Sequence, residues 1–213
     1  MAESKKDKKN IFRYWLYDFT LLTAMIPGLI AFRPKWMYES EKAKERIRGG
    51  ALLIGNHVGF FDPVYMMFAV WYRRHHFICT KEFFEGKKAF LFRNFQCIPI
   101  DRDNFNVGSF KIIVDHLKND EIVSMFPEGH INSEGGIATF KSGMILMALQ
   151  SKKPIVPVYV HPRKNVLHRF KMVVGEPIDI SAEYKKMPTM SEIEEISKRL
   201  HEKEETLRAL CEK

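Results

Sequence analysis

The stretch "LLIGNHVGFFDP" (residues 52–63) decides how the chain is read. An apolar run stops at Gly55, His57 follows almost at once, and Asp62 comes five residues later, directly before Pro63. On a continuous helix, residues five apart point away from each other, whereas residues three or four apart share a face. If His57 and Asp62 meet, the chain between them turns. Asp-Pro is a helix-start signal, with Asp as N-cap and Pro at the first helical position. "ALLIG" (51–55) therefore reads as a strand, 56–61 as a loop, and 63–72 as a helix. In open α/β sheets, ligands bind at the carboxyl ends of strands, where this loop lies.

Working outward, the same alternation repeats. The runs "HFICT" (76–80), "CIPI" (97–100), "IVSMF" (122–126), "PIVPVYV" (154–160) and "FKMVVG" (170–175) are short and apolar. Helical patterns fall between most of them, at 106–119 and 141–150. The last carries Met144, Ile145, Met147, Ala148 and Leu149 on a broad apolar face. Strands alternating with helices specify an α/β domain with a largely parallel central sheet of about six or seven strands flanked by helices. "ESEKAKERIRGG" (39–50) reads as a polar helix ended by glycines. "SEIEEISKRLHEKEETLRALCEK" (191–213) reads as an amphipathic helix, with Ser191 as N-cap and Glu194 completing a capping box.

The chain has 213 residues, room for one substantial domain. A hydrophobic share of 46% with 28% charged residues excludes a disordered chain. Lys+Arg 34 against Asp+Glu 26 gives a net charge of +8, which suits nucleic acid, an anionic lipid surface or a phosphorylated substrate. No RNA- or DNA-binding signature accompanies the charge, so nucleic acid is set aside. Cys79, Cys97 and Cys211 are widely spaced and odd in number, the pattern of reduced thiols on a cytosol-facing protein.

The amino terminus opens on the lysine-rich "MAESKKDKKN" and continues into "IFRYWLYDFTLLTAMIPGLIAF" (11–32). Arg13 and Asp18 shorten its uncharged run to "FTLLTAMIPGLIAF", less than a bilayer span needs. Aromatic residues crowd its first turns, as at a headgroup layer. Pro27-Gly28 is expected to kink or end this helix. Residues 1–38 thus read as a basic, hydrophobic, membrane-associating segment that lies on the cytoplasmic face as a monotopic anchor, and 39–213 as the main domain with its C-terminal amphipathic helix. The competing reading is an amphipathic helix covering the domain's own core.

A carboxylate on one imidazole nitrogen fixes the tautomer and leaves the other nitrogen as a general base. No G-x-S-x-G elbow and no papain-like cysteine motif supplies a nucleophile, so the base activates a hydroxyl brought by the substrate. His75-His76 and the pair His161 and His168 have no Cys or carboxylate at ligand spacing, and no metal is assigned.

Four blocks in order, "NHVGFFD" (56–62), "IPIDR" (98–102), "FPEG" (126–129) and "VPV" (156–158), resemble those of the glycerophospholipid acyltransferases, which include the 1-acyl-sn-glycerol-3-phosphate (lysophosphatidic acid) acyltransferases. The resemblance implies a glycerol-3-phosphate acyltransferase-like fold and transfer of a fatty acyl group from acyl-CoA or acyl carrier protein to the free hydroxyl of a lysophospholipid, with no cofactor. It implies His57 as base and Asp62 as its orienting partner, with backbone N–H groups near Gly59 or Gly129 steadying the oxyanion. Arg102 would hold the acceptor phosphate, Lys81 and Lys141 would add positive charge, and Glu128 and Gly129 would form the acceptor-binding turn. Two departures stand out. "EGHINS" (128–133) has His130 and Ile131 where the family has a hydroxyl residue and, soon after, an arginine, and Gln96 stands where the family tends to have glycine. His130 is either a substrate contact or structural filler. The departures leave acyl transfer intact and bring other lysolipids or hydroxyl lipids into view as acceptors. A lipid-binding relative without activity and a hydrolase using water remain the alternatives.

Overall fold

In the computed structural model, residues 14–59, 61–101, 107–129, 143–161, 169–184, 186 and 188–213 are described. Seven strands form one sheet in the order β1-β7-β6-β2-β5-β3-β4. They are β1 (Lys35–Tyr38), β2 (Ala51–Gly55), β3 (His75–Thr80), β4 (Ile98–Ile100), β5 (Ile122–Met125), β6 (Ile155–Val160) and β7 (Lys171–Val174). β6, β2, β5, β3 and β4 run parallel to one another. β7 is antiparallel to β6 and carries β1 alongside it in parallel. Five strands therefore end at one edge, with β2, β5, β3 and β4 side by side there.

The helices are α1 (Trp15–Phe32), α2 (Asp62–Ala69), α3 (Ala89–Asn94), α4 (Val107–Lys118), α5 (Gly143–Ser151), α6 (Ile180–Glu183) and α7 (Met190–Glu212). α4, α5 and α7 bury Ile113, Leu117, Met144, Ile145, Ile196 and Leu200 against one face of the sheet. α2 buries Tyr65, Met66 and Phe68 against the other, with Leu29 and Phe32 of α1 packed behind. Every residue of β2 is buried. That is why its run is continuously apolar rather than alternating.

The two ends of α1 are fastened to the domain. At its start, Tyr17 Oη accepts the His75 N–H at 3.0 Å, and Arg74 donates twice to Asp18, at 2.8 and 2.7 Å. Near its end, Gly28 lets the Phe68 ring approach so closely that a Cβ would sit 3.0 Å from Cζ. Trp15, Phe19, Leu22, Ile26 and Ile30 form an exposed apolar stripe along the side turned away.

Four expectations are corrected. α1 does not end at Pro27; it continues to Phe32 and stops at Arg33, whose φ of 44° leaves the helix. Residues 39–50 form only a 3-10 turn at Lys42–Lys44. They have no apolar stripe to bury, and their groups bond outward instead, Ser40 to Glu176 and the Ile47 N–H to Tyr72 Oη. α7 starts two residues early, with Thr189 as N-cap and Glu192 closing the capping box. Both Thr-x-x-Glu and Ser-x-x-Glu fit the sequence, and Thr189, extended after Pro188, takes the role. Finally, β1 occupies residues 35–38, a stretch grouped with the apolar segment from sequence alone.

One buried group stands out. Glu204 sits on the core-facing stripe of α7 between Leu200 and Leu207, fully buried, with no hydrogen-bond partner for either oxygen among the described residues. Burial, then the negative charges of Glu128 and Glu205, push its carboxyl well above the ordinary 4.5. The folded state thus holds a proton that the unfolded chain gives up, so this contribution to stability is full below pH 4.5 and falls as pH rises toward the elevated folded value. Glu204→Met, which keeps the volume and removes the polar group, is expected to stabilise the protein by about 1–3 kcal/mol at pH 8. The gain should shrink toward pH 5 in thermal melts. A loss of stability at both pH values would contradict this account.

Candidate active site

The strand–loop–helix from β2 to α2 builds the site. His57 leaves the carboxyl end of β2, and Asp62 opens α2. His57 Nδ1 lies 2.7 Å from Asp62 Oδ2. The same oxygen accepts the Val58 N–H at 2.6 Å and the Gly59 N–H at 2.8 Å. Asp62 does not cap its own helix; its carboxylate reaches back into the loop and holds it closed. Because an ionised carboxylate only accepts, the shared proton sits on Nδ1 and leaves a lone pair on Nε2. Asp62 is buried, while the His57 side chain keeps 16% of its surface open. The ring can therefore be reached from outside the protein.

One further contact holds the ring and another braces the residue before it; neither was identified from sequence. The Phe126 ring stacks on His57 with centroids 4.3 Å apart and planes 17° from parallel. Asn56 is buried, donating from Nδ2 to the Val160 carbonyl and accepting the Val160 N–H, each at 2.8 Å. It pins the residue before His57 to the end of β6, as a further ladder pair would. The block "NHVGFFD" contained the signal for Asn56, but its partner lies 104 residues away.

The other proposed site residues divide clearly. Lys81 begins the turn after β3 and pairs with Asp101, beyond β4, at 2.6 Å. That hydrogen bond, then the charge of Asp101, hold its ammonium above the ordinary value. Glu128 follows β5 and is buried, close enough to Glu204 for its charge to be felt there. Gly129 adopts φ 73°, a conformation that suits glycine, and its N–H donates to the Phe126 carbonyl at 3.1 Å. Both amides considered for an oxyanion are thus engaged within the protein, Gly59 on Asp62 and Gly129 on Phe126. Arg102, His130 and Lys141 lie outside the described residues. His57, Glu128, Lys81 and Asp101 all follow strands that end at the same edge.

His75 is a satisfied core residue. Its Nε2 faces the Val70 carbonyl at 3.2 Å and its Nδ1 faces Ser124 Oγ at 2.8 Å. Burial drives its pKa down to about 4. Gln96, standing where the resemblance has glycine, adopts φ 55°, which is the conformation glycine accepts without strain.

A model of the family described as Acyltransferase matches residues 37–161, more than half of the chain and the whole stretch from β2 to the end of β6. The chain belongs to the acyltransferase family. It is 29% identical over 161 residues to a 1-acyl-sn-glycerol-3-phosphate acyltransferase of Bacillus subtilis (strain 168), across 72% of this chain and 79% of that protein. It is 35% identical over 143 residues to the enzyme of that name from Streptococcus pneumoniae (strain ATCC BAA-255 / R6), across 64% of this chain but only 52% of the relative. The crystal structure of the 1-acyl-sn-glycerophosphate (LPA) acyltransferase PlsC from Thermotoga maritima shares the fold, with a TM-score of 0.62 at 14% identity over 95% of this chain and 91% of that one.

In this acyltransferase, Asn56 is a direct test of how the site is braced. Asn56→Ala leaves the Val160 N–H and carbonyl without their partner, at about 1–3 kcal/mol for each buried group left unsatisfied. The variant is expected to melt several degrees below wild type by calorimetry and to lose activity more than stability, because His57 is the next residue. Unchanged melting would remove the bracing role.

Proposed function

We propose that the enzyme moves a fatty acyl group from an acyl thioester, acyl-CoA or acyl carrier protein, to the free hydroxyl of 1-acylglycerol-3-phosphate, giving phosphatidic acid. The observation that carries this reading is the His57–Asp62 pair, at the open carboxyl edge of the sheet and inside the family-matched segment. His57 Nε2 removes the hydroxyl proton as the oxygen attacks the thioester carbonyl. Asp62 stabilises the imidazolium that forms, and the proton passes to the departing thiolate. Arg102, one residue beyond Asp101, would grip the acceptor phosphate with its planar fork, and Lys81, Lys141, His130 and the Glu128-Gly129 turn would complete the acceptor site. The acyl thioester is the only co-substrate this chemistry needs. His130 and Ile131, in place of the family's hydroxyl residue and arginine, favour a second reading in which another lysophospholipid is the acceptor.

Free-thiol release from acyl-CoA, measured with a panel of lysolipids and a no-acceptor control, tests the function. Release that requires 1-acylglycerol-3-phosphate and falls by about 10²–10⁴-fold in a folded His57→Ala variant is the expected result. Dependence on a different lysolipid would select the second reading, and acceptor-independent release would make the protein a thioesterase. Arg102→Ala is expected to raise the acceptor KM with a smaller effect on kcat. An unchanged KM would remove the phosphate clamp.

The exposed stripe of α1 supports an in-plane membrane contact. α1 is 18 residues long and apolar, yet both of its ends are fastened to the domain, so one side is left to meet lipid on the cytoplasmic face. Replacing Leu22, Ile26 and Ile30 with Glu is expected to abolish co-sedimentation with anionic vesicles while leaving the fold intact. Unchanged co-sedimentation would contradict the contact.

A further inference from the structure

At the edge of the sheet opposite His57, three residues from separate elements converge. His76 is the second residue of β3, His116 lies in the last turn of α4, and Glu121 immediately precedes β5. His116 Nδ1 meets Glu121 Oε2 in a short contact, and His76 Nε2 lies 3.5 Å from the same oxygen. One donor atom from each residue lies within 4.8 Å of the other two. The imidazole rings lean together with centroids 4.4 Å apart.

Two imidazole nitrogens and a carboxylate oxygen are a His₂-carboxylate donor set. Tetrahedral zinc, bound at about 2.0–2.1 Å, places its ligand atoms about 3.3 Å apart, a spacing this cluster reaches by rotating side chains. The surroundings are also those of a ligand histidine. His76 Nδ1 lies 3.0 Å from the Gln96 carbonyl, which can only accept, so Nδ1 carries the proton and Nε2 turns its lone pair toward Glu121. Tyr14 Oη stands 3.4 Å from that nitrogen and donates to Glu121 Oε1 at 3.3 Å, placing one more oxygen beside the cluster. His76 is buried while Glu121 keeps 31% of its side-chain surface open, so an ion has a way in.

We propose that His76, His116 and Glu121 form a binding site for a divalent transition-metal ion of the zinc type, separate from the catalytic residues. The ion joins β3 to the α4–β5 turn, and through Tyr14 it reaches the residue before α1. Its role is to fasten the foot of the membrane-facing helix to the sheet.

The test uses the full chain in detergent, free of affinity tags and stripped with chelator, then titrated with Zn²⁺ in a calorimeter and with Co²⁺ by visible absorption. Wild type is expected to bind one equivalent, to show the d–d bands of tetrahedral Co²⁺, and to melt higher with zinc present. Glu121→Gln and His116→Gln are each expected to weaken binding by more than about 100-fold, beyond the 10–100-fold typical of changes behind the ligands. Both should retain acyl transfer, which verifies their fold, and His57→Ala should bind zinc as wild type does. Absence of a stoichiometric site in wild type would overturn the proposal, as would binding that survives both substitutions or disappears in His57→Ala.

Discussion

Asp62 Oδ2 collects the His57 ring proton and the backbone N–H groups of Val58 and Gly59, all within 2.8 Å. That single atom closes the loop after β2 and fixes the tautomer of the histidine. A carboxylate with three donors on one oxygen is a strong local constraint, because each contact is charge-assisted. Without it the backbone of 57–59 loses the contacts that curl it back, and the ring keeps only its stacking on Phe126. The rest of the architecture serves to hold this loop in place. β2 is buried on both faces between β5 and β6, Asn56 ties its end to Val160, and Phe126, at the end of β5, supplies the surface against which the ring lies flat.

The central strands were readable because burial on both faces leaves a continuous apolar run. "ALLIG", "IVSMF" and "PIVPVYV" carry that pattern, and the strands form within a residue of the expected limits. β1 was hidden for the opposite reason. Lys35–Tyr38 is short, follows directly on an apolar helix, and gains its identity only from pairing with β7, far along the chain. The segment at 39–50 has helix-forming residues but no face to bury, so side-chain bonds to distant groups decide its shape. Propensity yields wherever tertiary partners offer more.

The same division governs the site. His57 and Asp62 are close in sequence, so the turn between them was legible from spacing and from the Asp-Pro start. Contacts made across strands were not. Neither the Phe126 stacking nor the pairing of Lys81 with Asp101 leaves a mark in any short window. The histidine at 76 shows this most plainly. Read along the chain it has no carboxylate at ligand spacing, whereas the fold sets Glu121 and His116 beside it from two other elements.

The central claim is that the Asp62 contact sets the His57 tautomer, with the ring proton on Nδ1 and the lone pair on Nε2. The most direct measurement is the ¹⁵N spectrum of ring-labelled histidine in the intact protein at neutral pH, with the His57 signals assigned by their loss in His57→Ala. The account predicts a protonated Nδ1 and an unprotonated Nε2 for His57, with this preference lost in Asp62→Ala. A proton residing on Nε2 in the wild-type protein would contradict it.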